Sequence, residues 1–298
     1  MAYAKIVATG CRQDPVSVIK SKEILALLAE TNPGKKFSDF RELPQHNGAS
    51  SGRGLSSLLN LLSKKKIDIV ITDASEIPLQ LPPEFEIGAV PKRGNPFNVL
   101  ISTKDVILEE QPVDIPIGVS DISSMGQLLY FRKDLCLVKA NGGYQSLSQM
   151  MISGEIGGFV INASDVEAFG RQENVVEVFT SSICMPSAGK GAMGLIIRKG
   201  DRRIKGLIED VDHGPSHSEI DLERMFLASF GKYEKKNVGV LVESEGDEFQ
   251  ISAVITAPDG LEKLSAAMHG WVGEEKDVIK KLAVSLLESG GSHLLDTT

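Results

Sequence analysis

Cysteine is scarce in this chain. The 298 residues hold Cys11, Cys136 and Cys184, an odd number without metal-ligand spacing. That excludes a disulfide framework and a zinc ribbon, and it predicts reduced thiols and a cytoplasmic location. Aromatic residues amount to 5%, with Trp271 the single tryptophan, too few for a base-stacking platform. Positive charge is outnumbered, Lys+Arg 32 against Asp+Glu 40, for a net charge of −8. Nucleic acid is therefore not the expected partner, because phosphate binding needs a basic surface. Apolar runs stay well short of the ~20 residues of a spanning helix, and Met1–Gly10 has no basic start before its apolar stretch, so neither a membrane partner nor a secretory leader is expected. No Ser/His/Asp or Cys/His arrangement and no metal site is visible.

What is present is ordinary globular composition, 42% hydrophobic and 24% charged, enough for two or three domains. Short apolar strands alternate with helices, the pattern of α/β layers. Lys5–Thr9 reads as a strand. The helix after it has Asp14 as N-cap, Pro15 at its first position and apolar Val18, Ile19, Leu25 and Leu28. A helix over Leu55–Leu62 leads into Lys64-Lys65-Lys66, a solvated end, and then into a strand at Ile67–Ile71. A second series contains strands at Ile117–Ser120, Leu135–Lys139 and Gly158–Asn162 and helices over Tyr144–Ser153 and Ser164–Gly170. Met193–Arg198 is a further strand. His213-Gly-Pro-Ser-His217 reads as a breaker loop before a helix at Ser218–Phe230. Strands at Val238–Glu243 and Phe249–Thr256 and a helix at Glu274–Leu287 complete a small α+β unit. Glu243, Glu245, Asp247 and Glu248 read as a solvated hairpin tip. Gly189-Lys190-Gly191 lacks the Walker and dinucleotide spacings and reads as a tight turn.

The order of motifs adds a resemblance. Gly52-Arg53-Gly54-Leu55, Ile67-Asp-Ile-Val70 running to Glu76-Ile-Pro78, Glu86-Ile-Gly-Ala-Val90, Pro186–Gly194, Glu223-Arg-Met-Phe-Leu227 and Ala257-Pro-Asp-Gly260 together resemble hydroxymethylbilane synthase, also called porphobilinogen deaminase. The resemblance implies three α/β domains: two lobes like those of solute-binding proteins around a cleft, and a small α+β C-terminal domain that carries the cofactor. The corresponding segments are residues 1–101 with 190–209, 102–189, and 210–298. It also implies an enzyme that joins porphobilinogen units on a cysteine-anchored dipyrromethane, with an aspartate handling protons and arginines holding the carboxylates.

The chain departs from that pattern at the chemical positions. Thr72-Asp-Ala-Ser-Glu-Ile-Pro78 stands where the family has His-Ser-Leu-Lys-Asp-Val-Pro. The catalytic candidate is therefore Glu76, with Asp73 a second carboxylate nearby. At the family's cysteine position stands Glu234, which cannot form a thioether, so no cofactor is expected. Ser123 and Ser124 replace an arginine pair, and Gln145 replaces another arginine. The expected ligand-binding residues are Arg12, Arg53, Thr72, Ser75, Ser123, Ser124, Asn141, Gly143, Gly189 and Lys190. These features imply a monomeric family-like protein that binds a small ligand in the cleft without the standard polymerising activity. The alternative is an active but divergent synthase.

Overall fold

The computed structural model describes residues 6–39, 54–231 and 237–296. Arg53 and Glu234 lie outside the described residues. In chain order the first elements are β1 (Val7–Gly10), α1 (Pro15–Thr31), β2 (Phe37–Asp39), α2 (Leu55–Ser63), β3 (Ile69–Asp73) and β4 (Phe85–Ala89). Next come β5 (Asn98–Ser102), β6 (Ile117–Val119), α3 (Ile122–Phe131), β7 (Leu137–Lys139), α4 (Tyr144–Ile152), β8 (Gly158–Asn162), α5 (Ala163–Ala168) and β9 (Glu177–Val178). The remainder comprises β10 (Met193–Arg198), α6 (Arg202–Ile208), α7 (Gly214–Ala228), β11 (Val238–Glu245), β12 (Glu248–Thr256), β13 (Lys263–Trp271) and α8 (Glu275–Leu286).

The chain divides into two compact units, residues 1–94 with 192–217 and residues 95–191 with 218–298. In the first, the sheet runs β2-β1-β3-β10-β4. Its three leading strands are parallel, and β10 returns antiparallel between β3 and β4. Ile69, Val70 and Ile71 are fully buried, as befits a strand covered on both faces. Helix α1 starts as its sequence demands: Ser17 N–H donates to Asp14 at 3.0 Å, and Pro15 opens the first turn. Its buried stripe, however, is Lys20, Ser21, Ile24 and Leu28. The expected Val18, Ile19 and Leu25 are only half buried, because the helix is rotated so that positions four apart from Leu28 face the sheet.

In the second unit the sheet runs β7-β6-β8-β5-β9. Again three strands are parallel, and β5 lies antiparallel to its neighbours β8 and β9. The whole of β5 thus belongs here, through pairs such as Asn98↔Asn162, so a boundary after residue 101 cuts a strand. Residues 210–217 likewise belong to the first unit. A third sheet, β11-β12-β13, is antiparallel, with Phe226, Val240, Ile251, Ile279 and Leu282 in its core. Helix α3 meets it so closely that a Cβ on Gly126 would lie 2.4 Å from the Ala257 carbonyl oxygen. Only glycine fits there.

One reading of the sequence fails in the first unit. His213–His217 is not a breaker: α7 already begins at Gly214. Pro15 and Pro215 exploit the same freedom, since the first helical turn has no use for the missing N–H. His213 Nδ1 receives the Ser216 N–H at 3.3 Å and lies 2.9 Å from its hydroxyl, and His217 Nδ1 lies 2.7 Å from Asp212. These histidines serve the chain reversal. Strand β13 was illegible because its sequence, KLSAAMHGW, is small and polar. No helix among the described residues is long and apolar enough to cross a membrane.

Candidate functional site

In the first unit the polar groups gather at the carboxyl ends of β1 and β3, where parallel sheets present their ligand sites. Strand β3 ends on Asp73, and a single 3-10 turn, Ala74–Glu76, follows. Asp73 Oδ1 accepts the Ser75 N–H at 3.0 Å and the Ser75 hydroxyl at 2.5 Å. Ala74 N–H donates to the Ala192 carbonyl at 2.9 Å, which ties the turn to the chain just before β10. Lys20 approaches Asp73 at 3.8 Å. Glu76 faces elsewhere: it accepts from Arg12 Nη1, and the Thr72 hydroxyl lies 3.5 Å from its other oxygen. Their hydrogen-bond partners differ: Asp73 holds Ser75, and Glu76 holds Arg12.

Arg12 also sits 3.4 Å from Asp14. The Glu76 hydrogen bond, with the nearby charges of Glu76, Asp14 and Asp73, raises the guanidinium's pKa against the opposing effect of burial. Both side chains of the Arg12–Glu76 pair are more than a third exposed. Such a pair contributes about 1 kcal/mol or less, so it orients the two groups without locking them.

The corresponding strand ends of the second unit are built from hydroxyls. Asp121 caps α3, accepting from Ser123 N–H at 3.0 Å and from its hydroxyl at 2.9 Å. Its other oxygen accepts from the Ser187 hydroxyl at 2.9 Å, and the two serine oxygens stand 2.7 Å apart. Ser124 accepts from Asn98 Nδ2 at 2.9 Å. Ser123 and Ser124 are both buried. The turn after Ser187 has Gly189 and Gly191 at φ +78° and +77°, left-handed values that favour glycine.

The structure thus brings together Arg12, Thr72, Asp73, Ser75 and Glu76 in one unit, and Ser123 and Ser124 in the other. Lys190 is half buried beside Gly189. Asn141 is exposed and uses its backbone carbonyl toward Ser146 at 3.4 Å, while Gly143 is the N-cap of α4. Neither meets the serine group through a hydrogen bond among those described. Lys20, Asp121 and Ser187 escaped the sequence reading. Lys20 lies four and eight residues before Ile24 and Leu28 on the buried stripe, a face the sequence reading did not assign. Among the described residues no group of three or more His, Cys, Asp or Glu side chains is arranged to hold a metal ion.

Residues 9–206 match the family model described as "Porphobilinogen deaminase, dipyromethane cofactor binding domain". This chain belongs to the porphobilinogen deaminase family. A porphobilinogen deaminase of Pelotomaculum thermopropionicum is 26% identical, over 97% of this chain and 96% of that protein. One of Thermus thermophilus is 25% identical, over 98% of each. Among solved structures, a TRAP periplasmic solute binding protein from Desulfovibrio salexigens is 9% identical and covers 78% of both chains at a TM-score of 0.47, a likeness too slight to argue from.

The family match corrects one expectation. A dipyrromethane belongs to this family's cofactor-binding domain, so the reading that no cofactor takes part does not stand. In the first unit Arg12 is joined to Glu76 and Asp14, and in the second Asp121 is bonded to Ser123 and Ser187. Of the described thiols, Cys136 is partly exposed and the other two are buried. Cys11 is buried with its sulfur 3.7 Å from Asp39, and burial pushes the Cys184 thiol up to about 11. A thiol held protonated is a poor nucleophile.

Proposed function

We propose that this member of the porphobilinogen deaminase family binds a small ligand of lower negative charge than a polypyrrole, and does not polymerise porphobilinogen at the family's rate. The observation that carries this reading is the closed Asp121–Ser123–Ser187 group. By resemblance, the family holds substrate carboxylates with an arginine pair at Ser123 and Ser124. Here those positions offer buried hydroxyls already bonded to a carboxylate and an amide. Each missing guanidinium–carboxylate contact forfeits about 1.5–3 kcal/mol. A carboxylate taken by Arg12 would also have to replace its pairing with Glu76, worth about 1 kcal/mol or less.

Glu76 supports the same reading from the first unit. It is one methylene longer than aspartate, and a displacement of roughly 1 Å costs about 10²-fold in rate. Family membership favours a second reading, an active but divergent synthase, in which exposed Glu76 would still handle protons. A turnover assay separates the two. Incubated with porphobilinogen, the protein is expected to form no hydroxymethylbilane above the protein-free control. Steady production with multiple turnovers would establish the second reading.

A further inference from the structure

We infer that Glu223 is a positioning residue: its buried carboxylate joins the edge of the third sheet to the Pro186–Gly191 turn and so sets the place of Lys190. The part concerning Lys190 rests on the reading of that residue as a ligand contact.

The reasoning begins at the edge of β11. Three alternate amides of this strand point away from β12 and find acceptors. Val240 N–H donates to the Pro186 carbonyl at 2.8 Å, Val242 N–H to Glu223 Oε1 at 3.1 Å, and Ser244 N–H to Glu219 Oε1 at 3.2 Å. The Ser244 hydroxyl reaches the same Glu219 oxygen at 2.7 Å. Glu219 and Glu223 are four residues apart on α7, a rise of about 6 Å. Alternate strand residues are about 6.8 Å apart. One helix face therefore supplies carboxylates at nearly the strand repeat, and the edge is closed to pairing with another chain.

Glu223 does more than Glu219. Its second oxygen accepts the Gly189 N–H at 2.7 Å, and the residue is completely buried. Away from water neither oxygen can be replaced by solvent, so an amide that loses this acceptor is left buried and unpaired. The Gly189 amide sits at the apex of the turn, where Lys190 N–H returns to the Ser187 carbonyl at 3.2 Å. Other bonds fix the flanks. Gln127 both donates to and accepts from the Met185 backbone, at 3.0 and 2.8 Å. Ser187 is held by Asp121. A Cβ on Gly191 would stand 2.7 Å from the Asn95 carbonyl oxygen, so only glycine fits at that end. Glu223 holds the apex.

The test compares Glu223→Met, which keeps the bulk and removes both acceptors, with Glu219→Gln, which alters the same edge away from the turn. Amide hydrogen exchange is followed at Gly189, Val242 and Ser244, and the affinity for pyrrole-2-carboxylate by calorimetry. The expected result for Glu223→Met is exchange at least tenfold faster at Gly189 and Val242, with binding at least threefold weaker. Glu219→Gln is expected to change Gly189 exchange and binding less than twofold. Should Glu223→Met not fold, Glu223→Gln, whose single carbonyl oxygen can serve one amide fully, is expected to speed exchange at Gly189 or Val242. Wild-type exchange at Gly189 in a folded Glu223→Met protein would overturn the inference, as would wild-type exchange at both amides in Glu223→Gln. Equal acceleration of Gly189 by Glu219→Gln would overturn it too. If the wild-type protein binds no member of a pyrrole carboxylate series, the ligand reading fails, and Gly189 exchange alone decides the tether.

Discussion

Asp73-Ala74-Ser75 in the first unit and Asn162-Ala163-Ser164 in the second are the same turn. Each follows the third parallel strand of its sheet, β3 or β8, beside an antiparallel return strand. In each the first side chain accepts its serine's N–H and hydroxyl, at 3.0 and 2.5 Å for Asp73 and at 3.1 and 2.6 Å for Asn162. The surroundings separate them. Asp73 has Lys20 at 3.8 Å, whereas Asn162 donates its amide to the carbonyls of Pro96 and Phe97, at 2.8 and 3.1 Å. The fold asks for an acceptor at this position; the neighbours decide whether it is charged. The first unit's turn thus carries an ionic acceptor and the second unit's turn a neutral one.

The largest expected effect comes from making the second turn resemble the first. Asn162→Asp keeps the acceptor but removes two donors and puts a carboxylate against two carbonyl oxygens at a buried site. Unpaired buried groups cost about 1–3 kcal/mol each, so urea unfolding should show a loss of about 3–4 kcal/mol at neutral pH. A loss under about 1 kcal/mol would mean that the amide donors are unimportant.

The neutral surroundings extend to Cys184, whose sulfur lies 3.7 Å from Asn98, the strand partner of Asn162. Burial, opposed by hydrogen bonds from Ser124 and Asn98, raises its thiol from 9.0 to about 11. The folded state thus favours the neutral thiol. Its contribution is complete below pH 9 and is lost as pH rises toward 11, in all about 3 kcal/mol. Cys184→Ala should flatten that part of the stability profile. A wild-type profile already flat between pH 9 and 11 would contradict the raised value.

How much of this was legible depends on the range of the interaction. Strands Met193–Arg198 and Gly158–Asn162 and the Asp14–Pro15 helix start are local patterns, and the structure has them where the sequence placed them. The residues of the Asp121–Ser187 contact are 66 apart, and those of the Glu223–Gly189 contact 34 apart. No periodicity connects them. Lys20 was hidden for another reason: a lysine on a helix reads as solvated until the buried face of that helix is known.

The converse of the first substitution is milder. Asp73→Asn retains the acceptor for Ser75 and removes the negative charge facing Lys20, which is 7% exposed. A loss of about 1–2 kcal/mol is expected, and a double-mutant cycle with Lys20→Met should show coupling between the two sites. Additive effects would mean that the pair does not interact. The smallest effect is a gain. The Ser21 hydroxyl on the same helix is buried without a hydrogen-bond partner among the described residues, so Ser21→Ala should stabilise the protein by about 1 kcal/mol. A lower unfolding midpoint would show that the hydroxyl is satisfied in solution.

The proposed preference for ligands of low charge rests on the hydroxyls at the strand ends of the second unit. Calorimetric titration with pyrroles bearing one, two and several carboxylates, each at low and high ionic strength, tests it most directly. Affinity is predicted to change less than tenfold across the series and to depend weakly on salt. Affinity that climbs steeply with each added carboxylate and collapses at high salt would contradict it.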